Sequence, residues 1–279
     1  MKRSIFWILL VLSFCGCTGL SFRTAPVDLG DPFTSLGIVS VSPNTEEQSG
    51  VLLRFLIPPG NVQNLTEETK IYAHVRGNTG SLLELIRKIK ETYAPGTRPD
   101  SFILRSASWF RGLSGAILEE SEMTQRGEIL KLIKGEHNAK DGKFTITRWT
   151  RTPVLPEGPA RIGDLWKYEE VMELRIAKQG STSPYKMVAS SRLTGFAKVR
   201  GRRCAVIETT ADQIQTERLR VFFMDLTLYI RAKVQETAYL DYQSGTVAAR
   251  IARIRSSVNS TDSRIDDQSI SQTLSYPAA

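Results

Sequence analysis

From residue 185 to residue 199, apolar and polar side chains alternate almost without a break. Tyr185, Met187, Ala189, Leu193, Ala197 and Val199 share one parity, while Lys186, Ser190, Arg192, Thr194, Lys198 and Arg200 share the other. Successive residues of a strand point to opposite faces, so this pattern specifies a sheet with one dry side and one wet side. Run straight, such a strand would be roughly 50 Å long, well beyond the usual length. Gly195 inside it predicts a kink or bulge at which the strand bends. Long, bent, one-sided strands build curved sheets. The predicted fold is therefore mainly β within the α+β class: a curved antiparallel sheet or half-barrel with one or two helices.

Neighbouring segments extend the sheet. Trp166, Tyr168, Met172, Leu174 and Ile176 alternate with Lys167, Glu169, Glu173 and Arg175. Val199-Arg200-Gly201-Arg202-Arg203 reads as a glycine turn into the strand of Cys204. Val234, Ala238, Leu240 and Tyr242 alternate with Lys233, Gln235, Thr237 and Asp241, and Gln243, Ser244 and Gly245 turn the chain into residues 246–255. The N-terminal half is more mixed. Strands are predicted at residues 36–41, 51–57, 71–76, 102–110, 128–133 and 143–149, the last two joined by the turn Asp141-Gly142. Residues 81–93 read as a helix with the stripe Leu82, Leu83, Leu85, Ile86 and Ile89, capped by Asn78 or Ser81. Residues 216–230 fit a helix through Leu219, Phe222, Phe223, Leu226 and Ile230, and fit strand alternation nearly as well. Pro153, Pro156 and Pro159 form a stiff connector that can join two hairpin sets of one sheet.

The ends differ from the middle. Lys2 and Arg3 precede a short apolar run, residues 5–14, about half the length needed to cross a bilayer. Phe14-Cys15-Gly16-Cys17-Thr18 follows. This arrangement resembles a bacterial lipoprotein signal, in which the cysteine after the cleavage site carries the lipid; Phe14 stands where such signals usually place leucine. The resemblance implies a signal peptide over residues 1–16 and lipidation of Cys17, which would fasten the protein to a membrane. An ordinary secretory signal cut between Gly16 and Leu20 is the alternative. Thr18 is not the aspartate that typically retains such proteins on the inner membrane, so the resemblance implies the outer membrane, facing the periplasm. Residues 17–49 then read as a flexible tether, residues 50–256 as a single curved-sheet domain, and residues 257–279, rich in Ser, Asp and Gln, as a disordered tail.

The formal charge of +8 is spread along the chain rather than gathered in a block, which argues against nucleic acid. Anionic headgroups or plain solubility account for it equally well. With Cys17 acylated and Cys15 removed, Cys204 has no disulfide partner, so an apolar core must supply stability; the strand-like surroundings of Cys204 predict a buried structural thiol. His74 and His137 lack ligand spacing, and no phosphate-binding glycine loop is present. Ser114 misses the nucleophile-elbow spacing by one residue. Glu119, Glu120 and Glu122 read as a solvated hairpin edge, Trp109, Trp149 and Trp166 as sheet core, and Arg250, Arg253 and Arg255 as an exposed edge strand. No catalytic residue, metal site or cofactor is expected, and the chain is not expected to be an enzyme.

The stretch from Pro156-Glu157-Gly158-Pro159 through Gly163-Asp164-Leu165-Trp166, with the hairpins at residues 199–207 and 238–245, is similar to bacterial envelope lipoproteins of unassigned function whose sheet curls like the lipoprotein-localisation carriers. That resemblance implies a half-barrel able to enclose acyl chains, and it carries no binding motif. Two functions follow as expectations. The first is a membrane-anchored, non-catalytic binding or assembly module that meets an envelope protein. The alternative is a carrier of a lipid or other apolar ligand, with Met172, Leu174, Met187, Leu193 and Phe222 as cavity walls. A hydrolase whose groups converge only in space is a third class.

Overall fold

A computed structural model of the protein describes residues 36–75, 78–111, 116–137, 153–175, 182–221, 224–260 and 266–277. As the alternation predicts, it is mainly β, a curved antiparallel sheet of half-barrel form with almost no helix. In chain order the elements are β1 (Ile38–Val41), α1 (Thr45–Ser49), β2 (Val62–Val75), β3 (Asn78–Pro95), β4 (Ser101–Phe110), β5 (Ile117–Thr124) and β6 (Ile129–His137). After the proline connector come β7 (Leu165–Arg175), β8 (Thr182–Val199), β9 (Arg202–Val221), β10 (Met224–Asp241), β11 (Thr246–Ser260) and β12 (Asp266–Pro277). The strands form one 12-stranded sheet in the order β1-β8-β9-β10-β11-β12-β2-β3-β4-β5-β6, with β7 also on β8. β12 lies between β11 and β2 and stitches the two meanders together.

The core shows how far the sheet curls. Leu193 and Phe196 of β8, Ile207 of β9 and Leu240 of β10 pack in one cluster with Tyr93 of β3, Leu104 of β4 and Met123 of β5. These strands are distant in the sheet, so their inner faces meet only because it bends round. Two non-strand segments, residues 51–57 and 153–160, fill the space between them. Leu53, Phe55 and Leu155 are almost wholly buried there, each worth about 1.5–3 kcal/mol of transfer free energy. Buried backbone groups need partners, and these segments find them. The Val51 and Ala160 amides each donate to the other's carbonyl at 2.9 Å, the Phe55 amide donates to the Gln125 carbonyl at 2.8 Å, and the Leu155 amide to the Arg126 carbonyl at 2.7 Å. Together they plug one end of the curl.

The Gly195 kink is present: the register of β8 on β9 shifts between Leu193 and Gly195. Its consequence is larger than a bend. Phe196 joins Leu193 in the inner core, whereas Ala197 and Val199 pass to a second cluster with Leu36, Cys204 and Tyr239 on the opposite face. The apolar stripe that reads as one face in the sequence therefore changes sides.

Five expectations need correction. Residues 81–93 lie within β3, not a helix; Ile89, Glu91 and Tyr93 are buried at strand spacing, and ladders to β2 and β4 override the helical stripe. Residues 216–230 belong to β9 and β10 wherever they are described. The tail, expected to be disordered, carries β12: its polar side chains do not matter because backbone ladders on both edges hold it. In the expected tether, the strand predicted at residues 36–41 is present as β1, paired with β8, but the rest is not all loose: residues 45–49 form α1, whose Asn44 and Glu47 make a capping box. Residues 51–57 form the plug rather than a strand. Residues 1–35, with the signal peptide and Cys17, and residues 143–149 lie outside the described residues.

The turn after β10 supports the plug directly. Gly245 has φ +67°, and a β-carbon there would strike the Leu56 backbone nitrogen. Gly245→Ala is expected to destabilise the fold by about 2–4 kcal/mol, from the positive φ and the clash together. Urea unfolding should show a lower midpoint at unchanged slope.

Candidate functional site

Moving along the inner face away from the plug, apolar packing gives way to a charged layer. Cross-strand register sets Ile207, Ala238, Arg250, Ser275, Glu67 and Arg87 in one row across β9, β10, β11, β12, β2 and β3. Arg250 Nε lies 3.0 Å from Glu236 Oε2, with the two side chains 6% and 2% exposed. The charges are close, yet not aligned for a hydrogen bond. Burial pushes the Glu236 carboxyl above the usual carboxylate range, and Arg250 pulls it part of the way back. Across the row, Arg87 Nη2 meets Glu67 Oε1 at 2.7 Å, and the Tyr93 hydroxyl donates to Glu91 Oε2 at 2.7 Å. Alongside, the Ser191 and Thr209 hydroxyls share a 2.7 Å hydrogen bond.

Arg250, Glu67 and Glu91, with Phe55, Ile89 and Val247, border a cavity of about 40 Å³. That is room for a few waters, against roughly 300–1,000 Å³ for a pocket that holds a drug-sized ligand. Of the side chains proposed as cavity walls, Met187 and Leu193 are buried but in separate packed clusters, and neither borders this space. Met172 and Leu174 fall in β7, but their side chains, like Phe222, lie outside the described residues.

A second cluster locks the plugged end. The Glu47 carboxylate accepts from Arg203 Nε and Nη2, each at 2.6 Å, and from the Tyr242 hydroxyl at 2.7 Å. The Arg203 hydrogen bonds hold the Glu47 carboxyl at about 2, and burial, with Glu47 beside it, pushes the Tyr242 phenol up to about 12. Arginines also clamp the connector. Arg54 Nη1 donates to the Leu53 and Pro156 carbonyls at 2.6 and 2.7 Å, and Arg126 Nε donates to the Leu155 carbonyl at 3.0 Å. Burial, then the neighbouring Arg126, lowers the Arg54 pKa.

Other sequence readings fare variously. Cys204 is the buried thiol expected, and desolvation pushes it up to about 12. Arg250 is not on an exposed edge: β11 is flanked by β10 and β12, and only Arg253 and Arg255 face outward. Glu122 is buried rather than solvated; it accepts from the Thr97 amide and hydroxyl and from Ser101, which lowers its carboxyl. Trp109 is 42% exposed, while Trp166 packs on the core and donates to the Val154 carbonyl at 2.6 Å. Among the described residues no group of His, Cys, Asp or Glu is placed to hold a metal. The charged layer leaves one mark in the sequence: Glu236 shares the apolar parity of Val234, Ala238 and Leu240.

These features define a curled antiparallel half-barrel, plugged at one end, with buried charge above the plug. No protein-family model matches the sequence, and no curated protein matches it. Among solved structures, it is similar to the loop L8 deletion mutant of OmpT, an outer membrane protein of Vibrio cholerae. The match has 9% identity and a TM-score of 0.24, covering 78% of this chain and 100% of that one. A superposition that poor carries no functional weight.

Two predictions follow from the charges. The folded Glu47 pKa lies below the ordinary 4.5, so its stabilisation, about 3 kcal/mol, is present above pH 4.5 and lost as pH falls toward 2. Glu47→Gln should therefore lower the denaturant midpoint at pH 6, with the gap to wild type narrowing across that window. Removing one member of a buried ion pair strands the other. Arg250→Met should cost about 3–5 kcal/mol, and Glu236→Leu with Arg250→Met should recover most of the loss in chemical denaturation.

Proposed function

We propose that the protein is a bacterial envelope lipoprotein whose half-barrel serves as a non-catalytic binding or assembly module, held by acyl chains on Cys17 at the outer membrane and facing the periplasm. The outward faces of the sheet carry this reading. Lys88 and Lys90 on β3, Arg105 on β4, Asp212 on β9, Arg231 and Lys233 on β10, and Arg253 and Arg255 on β11 are all exposed. A lysine or arginine facing lipid costs about 2–4 kcal/mol at the bilayer midplane, so these faces favour water. Among the described residues no helix is long and apolar enough to cross a membrane. In this reading attachment comes from the acylated terminus, where each buried methylene of an acyl chain adds about 0.8 kcal/mol.

The cavity beside Arg250 is too small for an acyl chain, and a module that works through its surface needs no such space. Native mass spectrometry of detergent-extracted protein tests both parts. The wild type should lack residues 1–16 and carry acyl mass, and Cys17→Ser should carry none. A wild type without acyl mass overturns the anchor. A stoichiometric lipid retained by the Cys17→Ser protein would replace the module with the carrier.

A further inference from the structure

Along β10, Tyr229, Arg231, Lys233 and Gln235 take the parity opposite to buried Ala232, Val234 and Glu236, and so lie on the outward face. Cross-strand register extends that face to both sides. Lys233 stands between Asp212 of β9 and Arg255 of β11, Gln235 is opposite Arg253, and Arg231 is opposite Ile214. Arg231, Lys233, Arg253 and Arg255 are all exposed. Among the described residues, these four cations make one ion pair, Arg231 with Asp212 at 3.9 Å. The next acid along β9, Glu208, is opposite Arg192 of β8. Lys233 and Arg255 are directly opposite each other, and like charges so placed destabilise a ladder. An acid at either position would serve the fold better.

Apolar side chains border the charges. Val188 of β8 is opposite Asp212, Ile214 follows two residues along β9, and Tyr229 lies two residues from Arg231. All three are exposed. A phenol and aliphatic side chains beside lysine and arginine suit the boundary between headgroups and acyl chains, where tyrosine is enriched.

We infer that this outward face of β9–β11 docks on anionic phospholipid headgroups. The inference deepens the anchored-module reading and rests on it for the choice of surface, since an acyl anchor keeps the domain at high effective concentration beside a bilayer. Each lysine or arginine close to an anionic surface contributes about 1 kcal/mol of attraction. Headgroup phosphates lie on the wet side of the interface, so the charged face meets them without the cost of entering hydrocarbon. Their negative charge also relieves the opposition of Lys233 and Arg255.

The test uses the full chain bearing Cys17→Ser, so that no acyl group contributes. Its co-sedimentation is compared on phosphatidylcholine vesicles with and without phosphatidylglycerol. Binding should be tighter to the phosphatidylglycerol vesicles, and added salt should remove the excess. Lys233→Ser, Arg253→Ser and Arg255→Ser together should weaken that binding by on the order of 100-fold. Their urea midpoint should stay unchanged or rise, because a like-charge pair is removed, which separates lost docking from lost folding. Lys88→Ser, Lys90→Ser and Arg111→Ser take away equal charge from exposed positions on β3 and just past β4. Those strands are three or more removed from β11, roughly 14 Å, beyond a Debye length of about 8 Å at physiological salt. This second variant should keep most of the excess. No excess for the parent, or equal losses in the two variants, overturns the docking face. No excess joined to retention on a polyglutamate resin would assign the same cations to an acidic protein surface instead. Missing acyl mass on the wild type would overturn the anchor, and that is read by mass spectrometry rather than by sedimentation.

Discussion

Everything in this fold depends on one contact: the sheathing of residues 51–57 and 153–160 between the inner faces of β3–β5 and β8–β10. A 12-stranded antiparallel sheet has no intrinsic reason to bring its distant strands together. Leu53, Phe55 and Leu155 give it one, because their side chains leave water only when both halves of the sheet close on them. The amides of the same segments are satisfied by one another and by the β5–β6 turn, so the plug is tied to the N-terminal half by hydrogen bonds and to the C-terminal half by packing.

The charged layer follows from that closure. Glu236 and Arg250 would be ordinary surface residues on an open sheet; the curl is what buries them and raises the Glu236 pKa. Such a pair is weak as a source of stability, since desolvation offsets much of the attraction. Its effect is on register, because the charges meet only with β10 and β11 aligned as they are. Glu47 differs: two guanidinium hydrogen bonds and the Tyr242 hydroxyl satisfy it fully, and it locks α1 and the plugged end to β9 and to the turn after β10.

Much of the sheet could be read from the alternation, and the failures have physical causes. Period two along β8 and the Gly195 kink translate directly into structure. The switch of faces at that bulge does not, because a bulge inverts parity without altering composition. Residues 81–93 read as a helix because Leu82, Leu83, Leu85, Ile86 and Ile89 make a helical stripe, while only Leu83, Leu85 and Ile89 share a strand parity; pairing with β2 and β4 decides between them. β12 escaped notice because a strand held on both edges needs no apolar face. The charged layer was half visible: Glu236 interrupts an apolar parity, but its partner Arg250 sits among Arg253 and Arg255 and reads with them as surface.

These parts form one curled half-barrel with the plug packed between its two halves. That the plug holds both halves of the sheet together is tested most directly by amide hydrogen exchange at Val51, Phe55, Leu155 and Ala160. These amides lie outside the long strands, and their hydrogen bonds last only while the plug stays seated. If the plug holds the curl together, they exchange only with the opening that also exposes Ile207 and Leu240, at equal free energies. Exchange near unprotected-peptide rates at these four positions, with β9 and β10 still protected, would contradict it.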